Sequence, residues 1–179
     1  MRKIVALSSI LTMLTWTFSF AHLHDNSTLI QPTSRDSLQI TQLLDSFNLA
    51  AANADFDKYF SFFAEDAIFI GTDATERWDK VGFMNWAKPF FTKKTTWNFK
   101  ALERHIYSDK TGKIAWFDEL LTTQMKICRG SGVLVKMGSQ WKIKQYVLSM
   151  TIPNAQIDTI IQLKAPVENT LIDAYLNKK

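Results

Sequence analysis

The sequence has few of the residues that form disulfides, bind metal ions or enrich low-complexity segments. Its 179 residues include one cysteine, three histidines, six glycines and four prolines. The single cysteine, Cys128, excludes an intrachain disulfide, and we interpret it as a small buried side chain beside a strand. Residues 34–153 contain no glycine-rich phosphate loop, no Gly-x-Ser-x-Gly elbow and no metal-ligand cluster. No local motif therefore indicates a catalytic class, and we expect no cofactor.

Aromatic residues, by contrast, are plentiful. The chain has 13 phenylalanines and 6 tryptophans, and 46% of its residues are hydrophobic. This composition predicts a single core built largely from rings. The length fits one domain with a removable segment, and we expect residues 34–153 to form that domain.

Residues 1–21 have the pattern of a secretory signal peptide. Arg2 and Lys3 precede the apolar run Ile4–Phe18, and Ser19-Phe20-Ala21 offers a small-x-small cleavage site. A membrane anchor is the less favoured interpretation, because five Ser and Thr residues dilute the apolar run. The pattern predicts a periplasmic or secreted protein without a membrane anchor after signal removal.

Cleavage after Ala21 would lower the net charge from +4 to +2 by removing Arg2 and Lys3. The remaining basic residues are scattered, so we expect no nucleic-acid partner. Residues 22–33 would form a flexible mature N-terminus. Its first residues would be His22-Leu23-His24, where a free amine and His24 are a weak candidate site for Cu(II) or Ni(II).

Three helices are predicted in the first half of the domain. Thr33 with Asp36, then Asp55 and Asp79, are capping residues in front of segments with helical apolar spacing. In the second and third helices this spacing places rings on one face, which we assign to the core. The residues concerned are Phe56, Tyr59, Phe60 and Phe63, followed by Phe83, Trp86, Ala87 and Phe90.

Strands are predicted before and after the third helix. Asp66–Ile70 is a short strand, and Gly71–Trp78 is a link that forms a rim before the third helix. Four segments with a period of two follow and predict an antiparallel meander: Trp97–Tyr107, Ile114–Met125, Arg129–Lys136 and Trp141–Met150. Three helices before one curved sheet indicate an α+β domain with helices on one face. Residues 154–179 are expected to form two short amphipathic helices.

Asp118 and Glu119 are the first candidates for catalysis. Neighbouring residues of a strand face opposite sides, so these carboxylates cannot share a site, and only one can point inward. In apolar surroundings the inward carboxylate would have a raised pKa and could act as an acid or base. We favour a structural ion pair instead, with Arg129 or Arg77 as the partner.

His105 is the second candidate, because Glu103 lies on the same face two residues earlier and can orient its imidazole. A bulge between the two residues would remove that shared face. The third candidate is the face formed by Trp141, Ile143, Gln145 and Val147, which has the character of a pocket wall or of a core face. Its neighbours Lys142, Lys144 and Tyr146 would then lie on the opposite, solvated face.

Five motifs together resemble a SnoaL-like family of the nuclear transport factor 2-like superfamily. They extend over Ile40–Asn154 in the expected order: Gly71–Trp78, Trp116–Glu119, Arg129–Leu134, Trp141–Tyr146 and Ile152–Asn154. The resemblance implies a cone-shaped, cystatin-like α+β fold in which a strongly curved, mainly antiparallel sheet wraps a long helix. It also implies a pocket at the wide end, and domains of this kind are often homodimers joined through the sheet.

Fold alone does not determine function in this superfamily, so three hypotheses remain. In the first, the pocket binds a small apolar or aromatic molecule, with Trp78, Trp116 and Gln145 in its wall and Arg77 and Arg129 as further ligand contacts. In the second, the protein is a cofactor-free lyase, isomerase or hydrolase that uses Glu119, Asp118 or His105 for proton transfer. In the third, rings fill the pocket and the domain is a structural or interaction module whose C-terminal helices make the contact.

Overall fold

The structure is a computed structural model that describes residues 32–178. The predictions for residues 1–21 and for His22 and His24 lie outside the described residues. The helices are α1 (Ser34–Ala52), α2 (Phe56–Ser61), α3 (Lys80–Thr92) and α4 (Ile157–Leu176), with a short 3-10 turn at Asn154–Gln156 before α4. The strands are β1 (Phe63–Ile70), β2 (Arg77–Asp79), β3 (Lys100–Ser108), β4 (Ile114–Thr123), β5 (Lys126–Met137) and β6 (Gln140–Met150).

The first three helices begin where their capping residues predict. The Thr33 hydroxyl accepts a hydrogen bond from the Asp36 amide at 3.1 Å. The carboxylates of Asp55 and Asp79 accept bonds from the amides three residues later, at 3.0 and 2.7 Å. Each cap satisfies one of the amides that a helix start leaves without a partner.

One six-stranded sheet carries these helices on its inner face. Its strand order is β2-β1-β6-β5-β4-β3, and only the β1–β6 pair is parallel. The predicted meander is therefore confirmed. Two details differ: β1 begins at Phe63 instead of Asp66, and Arg77–Asp79 forms an edge strand that pairs with β1.

Aromatic side chains form the core, as the composition predicts. The ring of Phe69 on β1 stacks on Phe83 of α3, with centroids 3.9 Å apart, and lies 5.7 Å from the parallel ring of Tyr146 on β6. Phe47 of α1 stacks on Tyr59 of α2 at 4.4 Å. These contacts join the three helices to the centre of the sheet.

A bulge in β6 reverses the direction of its side chains. Val133 is opposite Gln145 while Leu134 is opposite Ile143, so Lys144 is the extra residue. Trp141 and Ile143 face the core before the bulge, and Tyr146 and Leu148 face it afterwards. The predicted continuous face is therefore wrong in its second half, because Gln145 and Val147 lie on the outer face and Tyr146 is buried.

The C-terminal segment is one helix and not the two that we expected. The described residues between the two predicted helices contain no glycine, and Pro166 lies inside α4, where it removes one backbone donor without ending the helix. An ion pair at 3.0 Å between Lys164 and Glu168, one turn apart, also supports continuity. No residue of α4 is buried. No helix in residues 32–178 is both long and apolar enough to span a membrane.

Gly130 and Gly132 mark a close approach of the β5 backbone to neighbouring side chains. A Cβ at Gly130 would lie 2.5 Å from the Tyr146 hydroxyl. A Cβ at Gly132 would lie 2.2 Å from the Gln145 carbonyl oxygen and 2.9 Å from the ring of Phe117.

We expect Gly132→Ala to lower the free energy of unfolding by about 1–3 kcal/mol, measured by urea titration.

Ser131→Ala is the matched control, because Ser131 lies between the two glycines on the other face of the same strand. It should change the stability by less than about 0.5 kcal/mol. Equal unfolding midpoints for the two variants would contradict the close approach at Gly132.

Candidate functional site

A cavity of about 180 Å³ opens at the end of the sheet where β1, β2 and α3 meet. Nine of its lining residues are aromatic: Phe47, Tyr59, Phe69, Trp78, Phe83, Trp86, Trp97, Phe99 and Tyr146. The remaining lining residues are Gly71, Thr72 and Glu76 in the β1–β2 turn, Gln124 and Met125 in the β4–β5 turn, and Leu148 on β6. The wall is apolar with sparse polar groups, as is usual for sites that bind small molecules.

Local structure explains how three tryptophans meet at this cavity. Trp78 of β2 pairs with Phe69 of β1, so both side chains point to the inner face. Phe83 and Trp86 lie one turn apart on α3, and Trp97 follows in the loop before β3. The indoles of Trp78 and Trp86 are 4.9 Å apart between centroids, and those of Trp86 and Trp97 are 6.3 Å apart.

Of the described residues that line the cavity, Glu76 alone is charged. One oxygen of its carboxylate, Oε2, accepts a hydrogen bond from the Asp73 amide at 3.2 Å. A Cβ on Gly71 would lie 2.2 Å from that oxygen, so a larger residue there would force the Glu76 carboxylate to move from its place over the turn. Within residues 32–178, Glu76 forms no ion pair.

Two tyrosines in the lining are neutral at physiological pH. Burial raises the pKa of Tyr59 and of Tyr146 well above the ordinary value of 10.0, and the nearby Glu119 raises that of Tyr146 further. The Tyr146 hydroxyl donates a hydrogen bond to Glu119 Oε1 at 3.1 Å. Tyr146 therefore separates the cavity from a layer of buried charges.

Glu119 belongs to this buried layer and does not line the cavity. It is 1% exposed, and Arg104 binds its Oε2 through Nε at 2.8 Å and Nη2 at 2.7 Å. Arg104 also contacts Asp45 at 2.9 Å. Burial raises the pKa of the Glu119 carboxyl, while Arg104 opposes that rise. The arrangement gives Glu119 a structural role under the cavity floor.

The ion pair that we expected at Glu119 exists, but its partner is not Arg129 or Arg77. Arg104 lies directly opposite Glu119 on β3 and points to the same inner face. Arg77 is exposed on β2 and pairs with Ile70, whose side chain is on the outer face. Arg129 lies on the outer face, where its guanidinium is 3.8 Å from Asp118.

Other candidates from the sequence also lie away from the cavity. Asp118 and His105 are opposite each other on the outer face of the sheet. Glu103 does contact the His105 imidazole at 2.9 Å, because the bulge in β3 falls between Ala101 and Glu103. Both side chains are at least half exposed, at 58% and 50%.

Two expected wall residues are on the outer face as well. Trp116 stacks on Tyr107 there, with centroids 6.0 Å apart. The bulge at Lys144 directs the Gln145 side chain to the outer face. Of the five ligand-binding candidates, only Trp78 lines the cavity.

Sequence reasoning missed most of the actual wall, including Trp86, Trp97, Tyr146 and Glu76. The aromatic stripe of α3 was assigned to the core, although Trp86 is 39% exposed at the cavity. A usable signal was the presence of three tryptophans within 20 positions, at Trp78, Trp86 and Trp97. Among residues 32–178 no group of three or more His, Cys, Asp or Glu side chains is placed to hold a metal ion.

Replacing Glu119 tests its structural role. Its neighbour Asp118, on the opposite face of the same strand, provides the control. Glu119→Gln leaves the partly buried Arg104 without its main counter-charge and should cost about 3–5 kcal/mol of folding free energy. Asp118→Asn removes a contact that is partly exposed and should cost less than about 1 kcal/mol. Chemical denaturation at neutral pH measures both changes, and equal losses would contradict the assignment.

The comparisons with known proteins agree with this architecture. Residues 40–153 match the SnoaL-like domain family. A nuclear transport factor 2-like protein of unknown function from Pseudomonas putida is similar at 15% identity and a TM-score of 0.59, covering 69% of this chain and 92% of that one. No curated protein sequence matches this chain.

Two further solved structures have the same fold. A domain with a cystatin-like fold from Nostoc punctiforme is 14% identical, with a TM-score of 0.59, and the match covers 82% of this chain and 99% of that one. An uncharacterised cystatin-like protein from Caulobacter vibrioides is 9% identical, with a TM-score of 0.58 and coverage of 73% and 99%. At these identities the likeness concerns fold and not function.

The match over residues 40–153, together with the curved sheet and its three capped helices, makes the chain a member of the SnoaL-like domain family, with a nuclear transport factor 2-like α+β fold.

Proposed function

We propose that the domain binds a small, largely apolar or aromatic molecule in the cavity beside α3. The observation that carries this proposal is an open space of about 180 Å³ with nine aromatic residues in its lining. Rings bury a large apolar area and stack on planar ligands, so they supply both affinity and shape selection. Thr72, Gln124 and Glu76 offer the few polar contacts that would orient the bound molecule.

The same geometry weighs against the two other hypotheses. Glu119 is enclosed by Arg104 and Tyr146, and Asp118 and His105 face the outside of the sheet, so none of the three lines the cavity. Proton transfer would require an acid or base within hydrogen-bond reach of the ligand. Glu76, the one carboxylate that lines the cavity among residues 32–178, has no His, Lys, Asp or second Glu beside it in that lining to complete an acid–base pair. An interaction module with a filled pocket would leave no open space.

Trp86→Ala tests the binding role without a deep cost to the core, because the Trp86 side chain is already 39% exposed. We expect the affinity for indole, a neutral aromatic probe, to fall by about tenfold, equivalent to ~1.4 kcal/mol. Isothermal titration calorimetry measures this change independently of the tryptophan fluorescence that the variant removes.

Tyr175→Ala serves as the control, since Tyr175 is an exposed ring on α4 that does not line the cavity. Its indole affinity should equal that of the unmodified protein within about twofold. No measurable binding of indole to the unmodified domain, or an equal affinity after Trp86→Ala, would contradict a binding role at this cavity. Native mass spectrometry of the purified protein would identify a molecule that is retained there.

We also propose that the outer face of the sheet joins two copies of the domain. Two half-buried apolar residues, Trp116 and Val133, are opposite each other at the centre of this face, and the polar Gln145 lies on the other side of Val133. Tyr107 and Val147 extend the same surface. These apolar side chains lie among the polar and charged residues of the outer face, and domains of this superfamily often pair through the sheet.

A charge at the centre of the outer face should separate the copies, because it would be buried without a partner in the dimer. We expect Val133→Asp to sediment as a monomer in analytical ultracentrifugation, while the unmodified chain sediments as a dimer. Val81→Asp is the control: it makes the same change at an exposed valine on α3 and should stay dimeric. A monomeric unmodified chain would contradict the proposal.

A further inference from the structure

The cavity combines many aromatic rings with a negative charge and no positive one. Among residues 32–178 its lining contains three tryptophans, two tyrosines and four phenylalanines, but no Lys, Arg or His. An aromatic face carries partial negative charge and attracts cations, and tryptophan does so most strongly. The rings therefore favour a ligand that carries positive charge as well as apolar surface.

The charge of Glu76 strengthens that preference. Its carboxylate lies at the turn between β1 and β2, in the same lining as the indoles of Trp78 and Trp86. One carboxylate oxygen accepts the Asp73 amide at 3.2 Å, and within the described part of the chain no basic side chain neutralises the group. An ionised carboxylate only accepts hydrogen bonds and attracts positive charge, so an anionic ligand is disfavoured here.

The nearby arginines do not offset this charge. Arg77 follows Glu76 directly, but its register opposite Ile70 directs it to the other face from Trp78. Arg104 is committed to Glu119 and Asp45 beneath the floor of the cavity, behind Tyr146. A ligand in the cavity thus meets aromatic rings and one carboxylate.

We infer that the ligand of this cavity is an organic cation, an aromatic or alkyl ammonium compound whose charged group lies among the indoles and beside Glu76. This inference deepens the proposed binding function and rests on it. The apolar part of the ligand would occupy the inner rings near Phe69 and Phe83, and the ammonium group would lie nearer the turn that carries Glu76.

Two probes of the same shape test the charge preference directly. Phenyltrimethylammonium and tert-butylbenzene differ in having a charged nitrogen or a neutral carbon at the same position. We expect the unmodified chain to bind the ammonium probe at least about tenfold more tightly, with the affinity measured by competition against indole. Added salt should weaken binding of the ammonium probe and leave that of the neutral probe unchanged, because salt screens charges near the surface.

Glu76→Gln should reduce the preference for the ammonium probe to about threefold or less while the affinity for tert-butylbenzene is retained. The glutamine amide oxygen can still accept the Asp73 amide, and unchanged binding of the neutral probe reports an intact cavity. Asp73→Asn is the matched control, since it removes a carboxylate from the same turn at a residue that does not line the cavity. It should leave the preference unchanged within about twofold.

The outcomes separate this inference from the proposed function. If tert-butylbenzene binds as tightly as the ammonium probe, or if Glu76→Gln leaves the preference intact, the cationic ligand is overturned and the aromatic binding cavity stands. If neither probe nor indole binds, the proposed binding function fails and the inference fails with it. A tenfold preference that depends on Glu76 supports both.

Discussion

The stack of Phe69 between Phe83 and Tyr146 is the contact on which the rest of the structure depends. Its three rings come from β1, α3 and β6, and the separations of 3.9 and 5.7 Å fix how the third helix lies on the sheet. All three rings also line the cavity. Packing that stabilises the core therefore shapes the wall of the candidate binding site.

Environment assigns different roles to two glutamates that the sequence does not distinguish. Glu119 is enclosed by Arg104 and Tyr146, so its charge is matched within the protein and holds the sheet together beneath the cavity floor. Glu76 lies in a turn at the cavity and has no basic partner in residues 32–178, so its charge is available to a ligand. The same chemical group thus serves structure in one place and, in our proposal, selection of a ligand in the other.

Much of the fold was accessible from the sequence because its determinants are local. Capping at Thr33, Asp55 and Asp79 depends on a side chain and an amide three residues away, and the meander depends on a period of two within each strand. The candidate site was harder to predict, since one extra residue at Lys144 exchanged the faces of β6. That bulge directed Gln145 outward and Tyr146 inward, which a count of alternate residues cannot anticipate.

The sequence by itself determined the fold class, the starts of the first three helices, the meander and the position of Trp78 beside a rim, because these follow from spacing and from motifs shared with the family. Only the tertiary structure decided which carboxylate is paired and which rings surround an open cavity. The partner of Glu119 is Arg104 because register places them opposite each other on the inner face, and Trp97 reaches Trp86 because the chain between α3 and β3 returns to the sheet. Such contacts join residues that are distant in sequence, and strand register and the placement of helices on the sheet create them.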